Sequence, residues 1–294
     1  MLFATMVACS QVERPIADVY TVRDYKTVKL YLDTFNAKIQ SEYDSIGSFK
    51  MSYAEFHNGK KHLIFFGATH SRDLHHPQFR QLAALFKAFQ PEVAFNEGGE
   101  IPRDRRYSSM DSAIISNGET GVLKLLCDSA RIRMKDGDMN EREEMMALKK
   151  AIPRDQLYLY MAIERFLNGY HKGHFPGMTL EAGWHSKFIP YMRRSGLGLT
   201  LQQESLDTLK AIYKRYLHQN FVLDSLVQVH EFYLTDDGVL GDVGRATKIV
   251  RDQALLAKID SALYQYDRVF VVFGSSHLFA VTPALKQIIQ RKRE

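Results

Sequence analysis

Cysteine is scarce in this chain of 294 residues, and its scarcity excludes several classes of protein. The two cysteines, Cys9 and Cys127, form no Cys-x-x-Cys pair and have no metal-finger spacing. A disulfide framework and a structural zinc ribbon both need more cysteines than this. Long apolar runs are also missing, since no stretch approaches the about 20 residues that a membrane helix needs.

A large excess of one charge is also absent. Lysine and arginine number 39 against 34 aspartate and glutamate residues, which leaves a net charge of +5. The basic residues are scattered, apart from short clusters at 103–106 and 291–293. Scattered charge is typical of a solvated surface, so we expect no nucleic-acid partner. The length is ample for one large α/β domain or two modest ones.

The chain opens with an apolar segment that leads directly into Cys9. Residues 1–8 are apolar and a polar stretch follows Cys9. A small-residue site after an apolar run is typical of a secretory signal, and the pair Ala8-Cys9 resembles the end of a bacterial lipoprotein lipobox. The resemblance implies an export signal remnant at 1–19, lipid on Cys9 and a periplasmic or membrane-anchored protein. The alternative is a cytoplasmic protein with an apolar N-terminal element.

Three β-rich runs are each followed by a segment that contains glycine and a titratable side chain. They are Leu63-Ile64-Phe65-Phe66 before Gly67-Ala68-Thr69-His70, Val93-Ala94-Phe95 before Asn96-Glu97-Gly98-Gly99, and Val269-Phe270-Val271-Val272-Phe273 before Gly274-Ser275-Ser276-His277. Ligands and chemistry collect at the carboxyl ends of parallel strands. We therefore expect His70, Glu97 and His277 to meet at one edge of a sheet.

Helix and strand patterns in the first third of the chain predict a βαβ unit. The predicted elements are a helix over 21–47, a core strand over 60–66, a helix after Pro77 and a strand over 92–95. Proline suits the first turn of a helix. A strand, a helix and a second strand in succession predict a parallel pair with a right-handed crossover.

The middle of the chain predicts helices. Residues 101–233 show helical spacing and no clear β pattern, apart from a loop at 168–183 rich in glycine and histidine. The later predicted elements are a loop over 236–238 and 241–244, a helix over 245–264, the last strand and a helix over 283–290. We predict a single α/β domain over 20–294, with a central mostly parallel sheet, flanking helices and a large helical insertion at about 101–233.

The three titratable residues predict a site for proton transfer or for a metal. Imidazole titrates near neutrality, so His70 and His277 can take a proton from water, return it, or bind a metal when neutral. A carboxylate such as Glu97 can orient an imidazole or supply a metal ligand. The alternative for each residue is structural, as a hydrogen-bonded histidine at a strand end or a glutamate that caps a helix.

Other side chains near the motifs are candidates for substrate binding. Arg251 could bind an anionic group or a developing oxyanion, or it could pair with Asp252 at the surface. Glycine lets the backbone approach a ligand closely, and hydroxyl groups can hydrogen-bond a substrate or, equally, satisfy backbone groups at a turn. The predicted substrate-binding residues are Gly67, Thr69, Gly274, Ser276 and Asp252.

The motifs resemble those of the superfamily that joins TIKI and TraB/PrgY-type proteins, the erythromycin esterases and the ChaN-like haem-binding proteins. Two Gly-x-x-His motifs and an intervening glutamate mark the site in that superfamily, here residues 67–70, Glu97 and residues 274–277. Residues 251–256 also resemble a stretch that opens a helix before the last core strand. The resemblance covers the N-terminal third and the C-terminal end of the chain.

The resemblance implies a hydrolase with a polar cleft at the strand ends. One branch implies a metal-dependent peptidase, in which His70, Glu97 and His277 hold Mn, Co or Zn. Another implies an esterase in which a histidine activates water without a metal. The ChaN-like branch implies haem or another small ligand bound without turnover. We expect a small-molecule or peptide substrate, with Arg251 in the catalytic set, and the oligomeric state stays open.

Overall fold

The computed structural model describes residues 19–29, 52–99, 101–223, 234–235 and 237–293. Of the helix predicted over 21–47, residues 25–29 are helical, and its later part lies outside the described residues. Cys9 also lies outside them, so export and lipid attachment stay predictions. Within the described ranges, no helix combines the length and apolar character that a membrane crossing requires.

Five strands form the sheet of the described residues. They are β1 (Ser52–Asn58), β2 (Lys61–Ala68), β3 (Val93–Asn96), β4 (Arg133–Asp136) and β5 (Arg268–Gly274). Their order is β1-β2-β5-β3-β4; β1 is antiparallel to β2, and the other neighbours are parallel. The predicted α/β class, with a mostly parallel sheet and flanking helices, is confirmed.

The last strand of the chain lies at the centre of the sheet. Val271 of β5 is opposite Phe65 of β2 on one side and Phe95 of β3 on the other. The strands of the predicted βαβ unit are therefore parallel, but β5 separates them. Both faces of the central strands are buried, which accounts for their continuous apolar sequences.

Helices cover the sheet and build a second layer. Those of the described residues, after the short stretch at 25–29, are α1 (Gln78–Phe89), α2 (Met110–Ala130), α3 (Glu141–Leu148), α4 (Arg154–Ala162), α5 (Asn168–His171), α6 (Leu180–Gly183), α7 (Ile189–Ser195), α8 (Leu206–Leu217), α9 (Val239–Gln265) and α10 (Ser275–Gln290). A π-helical turn at Ile163–Leu167 joins α4 to α5, and another at Trp184–Phe188 joins α6 to α7.

Three large hydrophobic clusters hold these layers together, and a fourth, small one packs Tyr25 and Val28 against Ala280. α1 and α2 pack on one face of the sheet, where the ring of Phe86 meets that of Phe270 edge-on at 5.5 Å. α9 and α10 pack on the other face. Helices α3 to α8 surround the buried Trp184, and the first turns of α9 join them through Leu240 and Val243.

Two predictions about the middle of the chain are wrong in detail. Residues 133–136 form β4, an edge strand, although the sequence predicts no strand between 101 and 233. β4 is only four residues long and mostly polar, so it carries no apolar run. The loop predicted at 168–183 is helical at both ends, where α5 and α6 continue neighbouring helices.

Two helix boundaries near the end of the chain also differ from the prediction. Residues 241–244 lie inside α9 and not in a loop, because buried packing of Leu240 and Val243 outweighs the low helix propensity of glycine. The last helix begins at Ser275, directly after β5, and Pro283 lies within it. His277 therefore lies in the first turn of α10.

Candidate active site

A cleft with a volume of about 1510 Å³ opens at the carboxyl ends of the parallel strands. Each of three strands places a titratable side chain in its wall: His70 follows β2, Glu97 follows β3 and Asp138 follows β4. Arg251 of α9 lines the same cleft. The helical layer supplies the opposite wall, through residues of α3 and α7.

His70 presents an exposed imidazole in the cleft, with 65% of its side chain accessible. Its Nδ1 lies 2.5 Å from Oε1 of the buried Glu119. In a neutral imidazole, Nδ1–H donates to this carboxylate and Nε2 keeps its lone pair. This pairing fixes both the tautomer and the direction of the ring.

A break in α2 brings Glu119 to His70. Asn117 and Gly118 have non-helical backbone angles in the middle of this helix, and Gly118 has a φ of +53°. A Cβ atom at Gly118 would lie 2.8 Å from the carbonyl oxygen of Ser71. Only glycine both adopts this backbone conformation at low cost and lets α2 approach the loop that carries His70.

The carboxylate of Glu97 lies between the two motif histidines. Its Oε1 lies 2.8 Å from Nη2 of Arg251 and 3.4 Å from Nε2 of His277. Its Oε2 accepts the Gly274 N–H at 2.6 Å and lies 3.8 Å from Nε2 of His70. A Cβ atom at residue 274 would come within 3.2 Å of both Oε2 and that imidazole, so this glycine permits their close approach.

His277 is fully buried behind Glu97. Its Nδ1 lies 2.6 Å from Oδ1 of Asp252 and 3.0 Å from the hydroxyl of Tyr25, which donates to Oδ2 of the same aspartate at 2.6 Å. Its Nε2 faces Glu97 and lies 3.4 Å from Nζ of Lys248. His277 is thus held from both sides and does not reach the cleft.

Arg251 lies between two carboxylates, with 13% of its side chain accessible. Nε and Nη2 donate to Asp138 at 2.7 and 2.6 Å, and Nη2 also lies 2.8 Å from Glu97. The alternative of a surface arginine paired with Asp252 is therefore wrong. Arg251 lies at the cleft wall, so its position fits the predicted role near the reacting group.

Burial and paired charges shift the acid–base behaviour of the site. The hydrogen bond to Glu119 raises the pKa of His70, against the opposing effect of burial. Burial would raise the pKa of Glu97, but His277 and Arg251 hold it well below its usual range. Burial would lower the pKa of His277, yet the negative charge of Asp252 leaves it raised. Glu97 is therefore an anion at neutral pH.

The structure separates the predicted substrate-binding residues from the cleft surface. Gly67 and Gly274 are buried in or at the end of strands, and Asp252 is fully buried against His277. Thr69 exchanges backbone hydrogen bonds with the side chain of Gln78. The five predicted residues, which are Gly67, Thr69, Gly274, Ser276 and Asp252, are all described, and none of them lines the cleft.

Sequence reasoning missed four members of the network, namely Glu119, Asp138, Lys248 and Tyr25. Asp138 follows a strand as Glu97 does, but β4 has no apolar run that would identify it, so the sequence carries no signal for Asp138. Lys248 lies one helical turn before Arg251, a spacing that places both on one helix face. Glu119 and Tyr25 have no local signal in the sequence.

The donor set around Glu97 does not suit a divalent metal. Arg251 and the backbone N–H of Gly274 already occupy the two oxygens of Glu97, and the ammonium of Lys248 faces His277. A cation there would meet two other cations, at high electrostatic cost. Among the described residues, no group of three or more His, Cys, Asp or Glu side chains is arranged to hold a metal ion. Metal analysis of the purified protein tests the predicted Mn, Co or Zn.

The cleft offers haem one candidate axial ligand but few apolar side chains to contact the porphyrin. His70 presents an exposed imidazole, which could serve as an axial ligand. The apolar side chains among the lining residues are few: Ile101, Pro102, Ile115 and Met139. A porphyrin needs extensive apolar contact, so the cleft does not fit haem well. A haemin titration, followed at the Soret band, tests this prediction.

Comparisons of the chain with protein-family models, with curated proteins and with solved structures found no match.

Proposed function

We propose that the chain is a hydrolase of ester or peptide bonds in which His70 activates water, and that it belongs to the superfamily of the TIKI, TraB and erythromycin-esterase proteins. The observation that carries this proposal is the pair of His70 and Glu119 at the cleft. The carboxylate on Nδ1 favours the tautomer whose Nε2 can accept a proton. Exposure of this imidazole gives water and substrate access to it.

The proposed reaction uses His70 twice. Nε2 takes a proton from water while the water oxygen attacks the carbonyl carbon of the substrate. This addition forms a tetrahedral intermediate whose former carbonyl oxygen carries the negative charge. When the C–O or C–N bond breaks, His70 returns its proton to the leaving oxygen or nitrogen. No metal takes part in these steps.

Arg251 is the candidate to stabilise the tetrahedral intermediate. Its Nη1 has no hydrogen-bond partner in the part of the chain that the structure describes, while Nε and Nη2 bind Asp138 and Glu97. The two carboxylates thus hold the guanidinium in place at the cleft wall. A fixed charge of this kind needs little reorganisation when the oxyanion forms.

His70→Ala tests the assignment of the base. We expect kcat/KM to fall about 100- to 10,000-fold on any chromogenic ester or fluorogenic peptide that the wild type hydrolyses. The unfolding temperature should fall by only a few degrees: the side chain is largely exposed, but its removal leaves the buried carboxylate of Glu119 without this partner. Added imidazole should restore part of the activity, since it can enter the space left by the ring.

His185→Ala is the matched control. His185 also contacts a glutamate, Glu181, at 3.1 Å, but this pair lies on the surface outside the cleft. Its loss should leave activity unchanged. Wild-type activity in His70→Ala would overturn the proposal. Activity that a chelator abolishes and Mn, Co or Zn restores would support the metal-dependent branch instead.

A further inference from the structure

Arginine is unusually concentrated in the wall of the cleft. The six lining arginines are Arg72, Arg105, Arg142, Arg165, Arg194 and Arg251. Two of them have carboxylate partners: Arg251 binds Glu97 and Asp138, and Arg165 lies 3.5 Å from Glu144. Among the described residues, the other four have no carboxylate within salt-bridge distance, and all four are exposed.

The carboxylates of the cleft form no direct ion pair with these four arginines. Glu97, Asp138 and Glu144 belong to the arginine pairs, and Glu119 is bound to His70. The lining carboxylates outside these pairs are Asp136 and Glu141, and Oδ1 of Asp136 accepts a backbone hydrogen bond. The six arginines and six carboxylates of the lining balance in number, but four of the arginines have no direct carboxylate partner, which leaves local positive charge around their guanidinium groups.

The four arginines come from two sides of the cleft. Arg72 and Arg105 lie in the loops that follow β2 and β3, and the guanidinium of Arg105 also lies 5.7 Å from the ring centre of Tyr107. Arg142 is on α3 and Arg194 is on α7, which contact one another in the helical layer. Gly196, two residues after Arg194, lies next to Arg142: a Cβ added to Gly196 would be 3.6 Å from the Cγ of Arg142. Arg142 and Arg194 therefore belong to one stretch of the cleft wall.

We infer that the substrate of this site carries at least two anionic groups, carboxylates or phosphates, and that Arg142 and Arg194 bind one of them on the helical wall. Guanidinium groups bind both anions through paired, charge-assisted hydrogen bonds. Neighbouring arginines repel one another when no ligand is bound, so an anion relieves that repulsion as it binds. The inference rests on the proposed hydrolase function insofar as it calls the bound molecule a substrate. The binding of an anion to these arginines does not depend on that function.

Isothermal titration calorimetry with two anionic probes tests the inference. Inorganic pyrophosphate and tricarballylate supply phosphate and carboxylate groups, and their relative affinities identify which chemistry the cleft prefers. We expect at least one probe to bind to the wild type. The double variant Arg142→Gln/Arg194→Gln should weaken the affinity for that probe by about 100-fold or more, because each lost charge-assisted interaction is worth about tenfold or more. Added salt should weaken binding as well.

Arg80→Gln is the matched control, since Arg80 is an exposed arginine on α1 outside the cleft. It should change the affinity by less than about twofold. The titrations are repeated in His70→Ala, which separates the two proposals: anion binding should persist where hydrolysis is lost. Failure of both probes to bind, or equal binding by wild type and the double variant, would overturn the inference. Neither outcome depends on whether His70 is the base.

Discussion

The two ring nitrogens of His70 have separate roles in the proposed reaction, and pH should distinguish them. Because the hydrogen bond to Glu119 raises the pKa of His70, the imidazole is neutral only above that raised value. A general base must be neutral to act, so we expect kcat/KM to rise with pH through the pKa of His70. A pH–rate profile on a hydrolysed substrate measures this.

Glu119→Gln should move the rise in kcat/KM to lower pH. The amide carries no negative charge, so it no longer favours the protonated imidazole, and the pKa of His70 falls. We also expect the plateau rate to drop by about 10- to 100-fold, because the orienting carboxylate is lost. A rise that stays at the same pH in the variant would show that another group titrates.

At the scale of single residues, the sequence could predict side chains that directly follow β-rich runs. His70, Glu97 and His277 were found in this way, and the structure brings the two imidazoles within 3.8 and 3.4 Å of the glutamate. Glu119 lies 49 residues from His70, and Tyr25 lies 252 residues from His277. These contacts depend on tertiary packing, which no local pattern encodes.

At the scale of elements, the break in α2 places Glu119, and Gly118→Ala should disturb it. The new Cβ would lie 2.8 Å from the Ser71 carbonyl oxygen, in a backbone conformation with φ of +53° that alanine adopts poorly. We expect a loss of roughly 1–3 kcal/mol in the free energy of unfolding and reduced activity. Urea denaturation and steady-state kinetics measure the two effects.

Gly177→Ala is a control that separates the cost of a positive φ from the cost of a steric clash. Gly177 has a φ of +75°, but nothing lies within 4 Å of the added Cβ. This variant should lose some stability, by roughly 1 kcal/mol, and keep its activity, because it lies outside the cleft. Full activity in Gly118→Ala would contradict the role given to the break.

The central elements of the fold could be predicted because burial on both faces gives them continuous apolar sequences. β2, β3 and β5 are of this kind. β4 could not be predicted, since an edge strand of sequence Arg-Met-Lys-Asp has no apolar run or alternation to identify it. The start of α10 was missed because Pro283 suggests a helix start, whereas the helix tolerates this proline in its interior.

At the scale of the whole molecule, α9 joins the two layers. Its first turns pack into the helical layer through Leu240 and Val243, and its last turns pack on the sheet through Leu255 and Ile259. We expect the layers to unfold together for this reason. Fluorescence of Trp184, the one tryptophan of the chain, reports on the helical layer, and far-UV circular dichroism reports on the whole molecule.

Leu255→Ala provides a test of this coupling. The leucine is fully buried on the sheet side, and its truncation should cost about 2–5 kcal/mol. The midpoints of the fluorescence and circular dichroism transitions should fall by the same amount, although Trp184 lies in the other layer. A fluorescence midpoint that does not move would show that the helical layer unfolds on its own.

The position of β5 in the sheet has a consequence for how the protein is made. Strands β2 and β3 leave the ribosome early, but their common neighbour is completed only when residue 274 has been added. Until then, the backbone N–H and C=O groups on the facing edges of β2 and β3 lack the strand that pairs with them in the folded protein. The nascent chain therefore has no finished sheet, and the carboxylate of Glu97 has neither the Gly274 N–H nor His277 to pair with. The proposed site is therefore complete only after residues 274–277 have been synthesised and β5 has paired between β2 and β3.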